Sequence, residues 1–203
     1  MAALLGARPR EVVFTASGSE ANLLALRGAV PARGRTRTRV IAQATEHPAV
    51  LETARALRRL HGTRVTVLPV GGDGLLDPAA LEAALGEDTA LVSVMAAGNE
   101  TGALQPVAEL AAPARARGAL FHCDAAQAAG KVPLDVRALG VDLLTVAGHK
   151  MYAPKGTASA VRARRRAAGT GRLRRRPGAR TAGRHAERGA GRRSPRRRPR
   201  HGR

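Results

Sequence analysis

The polar residues best suited to chemistry lie where predicted β-strands end. They follow five such strands, and they are Ser17-Gly18-Ser19, Glu46-His47, Asn99-Glu100, Asp124 and His149-Lys150. In an open parallel sheet, ligands bind in the crevice outside the carboxyl ends of the strands. Because five strands deliver polar groups to one edge of the sheet, we predict a single binding site there.

Lys150 carries the most specific chemistry if it lies in this site. A lysine amine can hold pyridoxal phosphate covalently, and this cofactor also needs a carboxylate that keeps its pyridine nitrogen protonated. Asp124, at the end of another strand, is the candidate carboxylate. Lys150 alone would be interpreted as a solvated surface lysine, but its combination with Asp124 favours the cofactor.

Two other motifs each have a functional and a structural interpretation. Ser17-Gly18-Ser19 opens a helix, so its free N–H groups and the helix dipole suit an anion, and an ordinary N-cap is a compatible interpretation. His47 can stack its ring on a planar cofactor, or it can simply cap the helix that starts at Pro48. For His47 taken alone, capping is the better expectation.

The segment His122-Cys123-Asp124 superficially suggests a metal site or a nucleophilic cysteine. Alternation along a strand puts His122 and Asp124 on one face and Cys123 on the other. We therefore expect Cys123 to be a small buried hydrophobe. No metal-ligand spacing occurs elsewhere in the sequence, so no metal is predicted.

Strands and helices alternate along the first 156 residues. Strands are predicted at residues 11–15, 39–44, 64–70, 89–96, 119–123 and 142–146. Helices are predicted at residues 19–29, 48–60, 78–85 and 105–118. This alternation predicts an α/β domain with a mostly parallel sheet flanked by helices.

The charge of the chain divides at residue 156. Residues 1–156 carry 17 Lys and Arg against 14 Asp and Glu, whereas residues 157–203 carry 18 Arg against the single acid Glu187. The second segment is rich in Arg, Gly and Pro and has few large apolar side chains. We therefore predict one domain at residues 1–156 and a disordered, low-complexity tail at residues 157–203.

Cysteine usage and hydropathy bear on the location of the protein. The single cysteine excludes a disulfide framework and fits a reducing compartment. The apolar runs are too short to span a bilayer. We expect a soluble, cytoplasmic protein with no membrane partner.

Five motifs together resemble the cysteine desulfurases, which are pyridoxal-phosphate enzymes of the class V aminotransferase fold. They are EVVFTASGSEAN at residues 11–22, TEH at 45–47, GNETG at 98–102, HCDAAQ at 122–127 and AGHK at 147–150, in the order and spacing of that family. The resemblance covers roughly residues 2–156. It implies the α/β large domain of a fold-type I enzyme, without the family's leading segment and its small C-terminal domain.

The resemblance implies two catalytic residues and a reaction. Lys150 would hold the cofactor covalently, and His47 would stack on its ring and assist proton transfer. Asp124 would pair with the pyridinium nitrogen. The implied reaction removes sulfur from L-cysteine, leaving alanine and a persulfide on an enzyme cysteine. The sulfur would then pass to an acceptor protein for iron–sulfur cluster assembly or thiolation.

The remaining implied contacts surround the same cofactor. Asn99 and Gln127 would contact the ring oxygen and the substrate side. Gly18, Ser19 and His149 would bind the phosphate. A neighbouring subunit of a homodimer would complete the phosphate site.

The sequence also departs from the family pattern. Ala147 stands where many members place a phosphate-binding serine, and Cys123 does not match the persulfide position. The persulfide cysteine and the arginine that grips the substrate carboxylate have no counterpart in this chain. We therefore expect the chain to be inactive, or nearly so, in desulfuration. Selenocysteine lyases and other class V enzymes share these motifs and are alternative assignments.

The arginine-rich tail has two interpretations besides disorder. A non-catalytic basic arm that binds nucleic acid is one, although the tail lacks the aromatic residues of a stacking platform. The other is a frameshifted translation, because codons read from the second base at residues 159–163, 173–177 and 178–187 can encode the family's continuation. The frameshift is the preferred hypothesis, so nucleic acid is not expected as a partner.

Overall fold

Seven strands form one mixed sheet in the computed structural model, which describes residues 1–163. The strands are β1 (Val12–Thr15), β2 (Arg39–Gln43), β3 (Arg64–Leu68), β4 (Thr89–Met95), β5 (Leu120–Asp124), β6 (Leu143–Ala147) and β7 (Ala158–Arg162). Their spatial order is β1-β7-β6-β5-β4-β2-β3. Neighbours from β3 to β6 are parallel, and β7 is antiparallel to both β6 and β1. Consequently β1, β2, β4, β5 and β6 all end at the same edge, as the sequence predicted.

Four α-helices cover the two faces of the sheet. They are α1 (Gly18–Ala29), α2 (Pro48–His61), α3 (Pro78–Ala84) and α4 (Val107–Ala116). Leu26 of α1 and Leu57 of α2 pack in one apolar cluster. Leu81 of α3 and Leu110 of α4 pack in a second cluster on the other face. This layered α/β architecture confirms the predicted fold class.

The helices begin where the sequence supplies capping groups. The Ser17 side chain accepts a hydrogen bond of 3.1 Å from the Glu20 N–H at the start of α1. The Asp77 carboxylate accepts one of 2.9 Å from the Ala79 N–H at the start of α3, which Pro78 opens. Such caps satisfy N–H groups that have no partner within the helix, so they fix where each helix begins.

One strand was not expected from the sequence. β7 lies within the segment assigned to a disordered tail, yet it pairs with β1 on one side and β6 on the other. Its Ser159 and Val161 are each only 1% exposed. The predicted domain boundary at residue 156 is therefore too early. The small residues Ala158, Ser159 and Ala160 gave no strand pattern, because strand prediction relies on β-branched and aromatic side chains.

The remaining part of the predicted tail, from residue 164 onward, lies outside the described residues. The same is true of the nucleic-acid arm and of most of the frameshift segments. Within residues 1–163, no helix is long and apolar enough to cross a membrane.

Candidate functional site

A cavity of about 330 Å³ opens at the carboxyl edge of the sheet. All eight site residues predicted from the sequence line it, namely Gly18, Ser19, His47, Asn99, Asp124, Gln127, His149 and Lys150. The expected convergence of strand ends is thus present in the fold. The cavity wall also includes Asn22 and Met95, which the sequence analysis had not assigned to the site.

Asp124 forms the floor of the cavity. It is 5% exposed, and both carboxylate oxygens are engaged. Oδ1 accepts a 3.0 Å hydrogen bond from the Ala126 N–H, and Oδ2 accepts one of 2.6 Å from Asn22 Nδ2 on α1. The carboxylate is therefore held in one orientation by a loop and a helix. Asn22 lies one helical turn beyond Gly18, and that spacing was the signal that could have placed it on the cavity side of α1.

The amino terminus of α1 forms one wall. The amides of Gly18 and Ser19 belong to the first turn, where N–H groups have no acceptor within the helix. A Cβ at Gly18 would lie 3.2 Å from the Cβ of Ala147, so glycine lets the helix end approach β6 closely. The two interpretations of this motif hold together: Ser17 caps the helix, and the next two residues line the cavity.

His47 caps α2 and also lines the cavity. Its Nδ1 accepts a 3.0 Å hydrogen bond from the Ala49 N–H. Because Nδ1 acts as an acceptor, a neutral imidazole carries its proton on Nε2. Capping and cavity lining therefore coexist at His47, and capping fixes the orientation of the ring.

Asn99 and Gln127 lie together at the rim. Gln127 Nε2 donates a hydrogen bond to Asn99 Oδ1. On the other side of Gln127, its Oε1 lies 3.4 Å from Lys131 Nζ, and Asn99 Nδ2 bonds Glu100. These two amides present hydrogen-bond donors and acceptors to the cavity.

Lys150 follows β6 on a short 3₁₀ turn, Gly148–Met151, beside His149. Both side chains are exposed. Among residues 1–163, the Lys150 amine has no hydrogen-bond or ion-pair partner. The turn is shaped by Gly148, whose N–H donates to the Thr157 carbonyl at 2.9 Å. A Cβ at Gly148 would lie 2.6 Å from that oxygen, so the turn requires glycine.

A buried polar network lies beneath the cavity. Ser93 Oγ donates to Glu46 Oε1 at 3.1 Å and lies 2.9 Å from His122 Nδ1, and His122 Nε2 lies 3.1 Å from Thr145 Oγ1. Burial lowers the pKa of His122 from 6.5 to about 4, against the opposing effect of Asp124. Burial, followed by repulsion from Asp124, raises the pKa of Glu46 well above its usual range. Sequence analysis gave no role to Glu46, Ser93 or Thr145.

Cys123 lies on the other face of β5, as strand alternation predicted. It is fully buried in the apolar cluster with α3 and α4. Burial raises its pKa well above the usual range, and the charges of Asp124 and Glu46 act in the same direction. The expectation of a buried hydrophobe is confirmed. Within residues 1–163, no group of three or more His, Cys, Asp and Glu residues is placed to share a metal ion.

Comparison with known proteins identifies similar sequences. A sequence model of the family described as Aminotransferase class-V matches residues 1–173. The chain is 46% identical over 156 residues to a mitochondrial cysteine desulfurase of Drosophila melanogaster, a match covering 77% of this chain and 34% of that protein. It is 49% identical over 156 residues to the cysteine desulfurase IscS of Anaeromyxobacter sp. (strain Fw109-5), covering 77% and 38% respectively.

Solved structures share the fold. A structure described as SspA in complex with cysteine has a TM-score of 0.75 and 36% identity, covering 79% of this chain and 46% of that one. The crystal structure of DndA from Streptomyces lividans has a TM-score of 0.75 and 42% identity, covering 81% and 46%. The chain thus spans about a third of the length of the curated relatives and less than half of these solved chains.

Proposed function

We propose that this chain, which belongs to the aminotransferase class V family, binds pyridoxal 5'-phosphate in the cavity at the carboxyl edge of its sheet and carries the cofactor site of a cysteine desulfurase. One observation carries the proposal. A single cavity brings together the Lys150 amine, the Asp124 carboxylate held by Asn22, and the amino terminus of α1. An amine, a carboxylate and an anion site are the three groups that this cofactor requires.

The chemistry of the residues present suits the cofactor. Among the described residues that line the cavity, Lys150 Nζ is the one amine able to hold an aldehyde covalently. When bound, the cofactor supplies an electron sink for charge that develops at the substrate's α-carbon. Asp124 would hold the proton on the pyridine nitrogen, with Asn22 and Ala126 keeping its carboxylate oriented.

The phosphate would be bound at the α1 end of the cavity. The Gly18 and Ser19 amides and the His149 side chain all line it, and a helix amino terminus favours a negative group. Ala147 supplies no hydroxyl there, so the backbone amides take a larger share of the binding. In this arrangement the phosphate end of the cofactor would face α1.

His47 and the rim amides would act on the ring and the substrate. His47 would lie against the ring and move a proton through Nε2, because its Nδ1 is engaged with Ala49. Asn99 and Gln127 would orient polar groups at the rim, the ring oxygen included. Lys150 Nζ is also the amine that would move the proton at the substrate's α-carbon.

We propose L-cysteine as the substrate. The relatives carry the name cysteine desulfurase, and one similar structure is described in complex with cysteine. Desulfuration needs a cysteine thiolate that takes up the sulfur. Cys123 is the single cysteine of this chain, and it is buried with a raised pKa. We therefore expect this 203-residue chain to bind the cofactor but to release little alanine from cysteine.

The assembly, partners and location belong to the same proposal. We propose a homodimer whose neighbouring subunit completes the phosphate site, a sulfur-acceptor protein and a cytoplasmic location. One relative is mitochondrial by name, so fractionation of cells is the test of location. Light scattering of the purified chain tests the dimer.

The test is a titration of the purified chain with pyridoxal phosphate, followed by absorbance. We expect a new band that Lys150→Ala abolishes and that Lys155→Ala, at another exposed lysine of the same loop, leaves unchanged. A band that survives Lys150→Ala, or none in the unmodified chain, would contradict the proposal. Discrimination against selenocysteine is measured by comparing how the two amino acids perturb the band.

A further inference from the structure

Glu46 is a buried carboxyl group at the position just before His47. It is 4% exposed, although carboxyl groups are costly to bury without partners. Oε1 accepts a 3.1 Å hydrogen bond from Ser93 Oγ. Oε2 has no hydrogen-bond partner among the described residues. Ser93 belongs to β4, so the carboxyl group joins the turn after β2 to the neighbouring strand.

Ser93, which donates to the Glu46 carboxyl group, is itself in hydrogen-bond contact with His122. Ser93 and His122 are register partners on β4 and β5, and Thr145 lies on β6. All three are 0% exposed. One hydrogen-bond pattern satisfies each group: Thr145 donates to His122 Nε2, His122 Nδ1 donates to Ser93, and Ser93 donates to Glu46. A chain of hydrogen bonds therefore runs from β6 to the turn that contains Glu46.

That turn determines where His47 lies. The Glu46 N–H donates to the Gln43 carbonyl at 3.2 Å, which closes the turn after β2. The next residue, His47, caps α2 through Nδ1 and lines the cavity. Glu46 thus fixes the backbone on the strand side of His47, while the cap fixes its ring on the helix side.

We propose that Glu46 is a positioning residue for His47: its buried carboxyl group, held by β4 and through Ser93 by His122, sets the place of the His47 ring in the cavity. This inference rests on the proposed function, because His47 is expected to lie against the cofactor. A carboxyl group buried only for packing would stabilise the fold without any specific link to His47.

The first measurement needs no cofactor. Hydrogen exchange of the purified chain reports the Ala49 amide, which His47 Nδ1 protects. We expect Glu46→Ala to speed exchange at Ala49 by about tenfold while Leu57, further along α2, changes little. Glu52→Ala, at an exposed glutamate of α2 that pairs with Arg55, is the matched control and should change neither. Equal acceleration along the whole of α2 would indicate a packing role and overturn the proposal.

The second measurement is a double-mutant cycle on the dissociation constant of pyridoxal phosphate. We expect Glu46→Ala to weaken binding about tenfold, but less than about twofold in a His47→Ala background, because Glu46 acts through His47. Glu46→Gln should rescue binding, since an amide oxygen accepts the same hydrogen bond from Ser93 Oγ. Additive losses, or no rescue by Gln, would overturn the proposal.

Two further outcomes, a variant that does not fold and a chain that binds no cofactor, also have a defined meaning. If Glu46→Ala does not fold, Ser93→Ala replaces it, and the same coupling to His47→Ala is expected because this variant removes the hydrogen bond that holds the Glu46 carboxyl group. If the unmodified chain binds no cofactor, the proposed function fails, whereas the exchange measurement still decides whether Glu46 positions His47.

Discussion

Asn22 on α1 donates a 2.6 Å hydrogen bond to Asp124 at the end of β5, and both side chains are buried at the floor of the cavity. The first helix thereby orients the carboxylate that the proposed cofactor requires. The same helix presents its amino terminus to the phosphate end. One element, α1, thus serves both ends of the site.

Replacing Asn22 tests this link. Asn22→Ala leaves a buried carboxylate oxygen without its donor, so we expect a loss of about 1–3 kcal/mol in the free energy of unfolding and weaker cofactor binding. Asn22→Asp should lower the free energy of unfolding further at neutral pH, because two carboxyl groups in contact cannot both ionise. Its stability should recover as the pH falls and one carboxyl group takes up a proton. Urea denaturation measures the stability, and Arg27→Ala, at an exposed position of the same helix outside the cavity, is the control. An Asn22→Ala chain with unchanged stability and affinity would contradict this role.

The buried His122 predicts a dependence of stability on pH. Its pKa is lowered from 6.5 to about 4, chiefly by burial. Its contribution to the free energy of unfolding is therefore fully present above pH 6.5 and is lost as the pH falls toward 4. The loss is on the order of 3 kcal/mol over that window. Glu46, whose pKa is raised, has the opposite effect on stability. Its contribution to the free energy of unfolding is present at low pH and is lost as the pH rises.

Urea denaturation across that pH window measures the effect. His122→Gln should flatten the fall in stability on the acid side, whereas His61→Gln, at an exposed histidine near the end of α2, should not. A pH dependence that is unchanged in His122→Gln would show that other groups cause it.

Gly148 is predicted to hold the Lys150 turn in place. Gly148→Ala would put a Cβ 2.5 Å from Thr157 Oγ1 and 2.6 Å from the Thr157 carbonyl oxygen. We expect a loss of about 1–3 kcal/mol and a weaker cofactor band, because the turn must move. Gly72→Ala, where an added Cβ would meet nothing within 4 Å, is the control. Equal behaviour of the two variants, measured by thermal unfolding and absorbance, would contradict the role of Gly148.

β7 should be part of the folded domain. Val161 is 1% exposed on this strand, so Val161→Asp buries an unpaired charge and should cost more than about 3 kcal/mol or prevent folding. Arg162→Asp at the next, exposed position should have little effect. If both variants unfold like the unmodified chain, residues 158–162 are not part of the core.

Local sequence patterns were sufficient to predict the parallel part of the sheet and the residues that line the cavity. Each predicted site residue follows a strand, and the carboxyl ends of parallel strands must meet at one edge. The contacts that support those residues depend on register instead. Ser93 meets His122 only because β4 and β5 are aligned at those positions, and Asn22 meets Asp124 across 102 positions of sequence. Helical spacing could place Asn22 on the cavity side of α1, but it does not identify Asp124 as its partner, and strand spacing does not identify His122 as the partner of Ser93.

The central claim is a covalent bond between Lys150 and pyridoxal phosphate. The chain contains three lysines, Lys131, Lys150 and Lys155, so the site of attachment can be assigned without ambiguity. The chain is incubated with the cofactor, reduced with borohydride, digested and mapped by mass spectrometry. We expect one phosphopyridoxyl adduct, on the peptide containing Lys150. Adducts spread over Lys131 and Lys155 or the amino terminus, or no adduct at Lys150, would contradict the account.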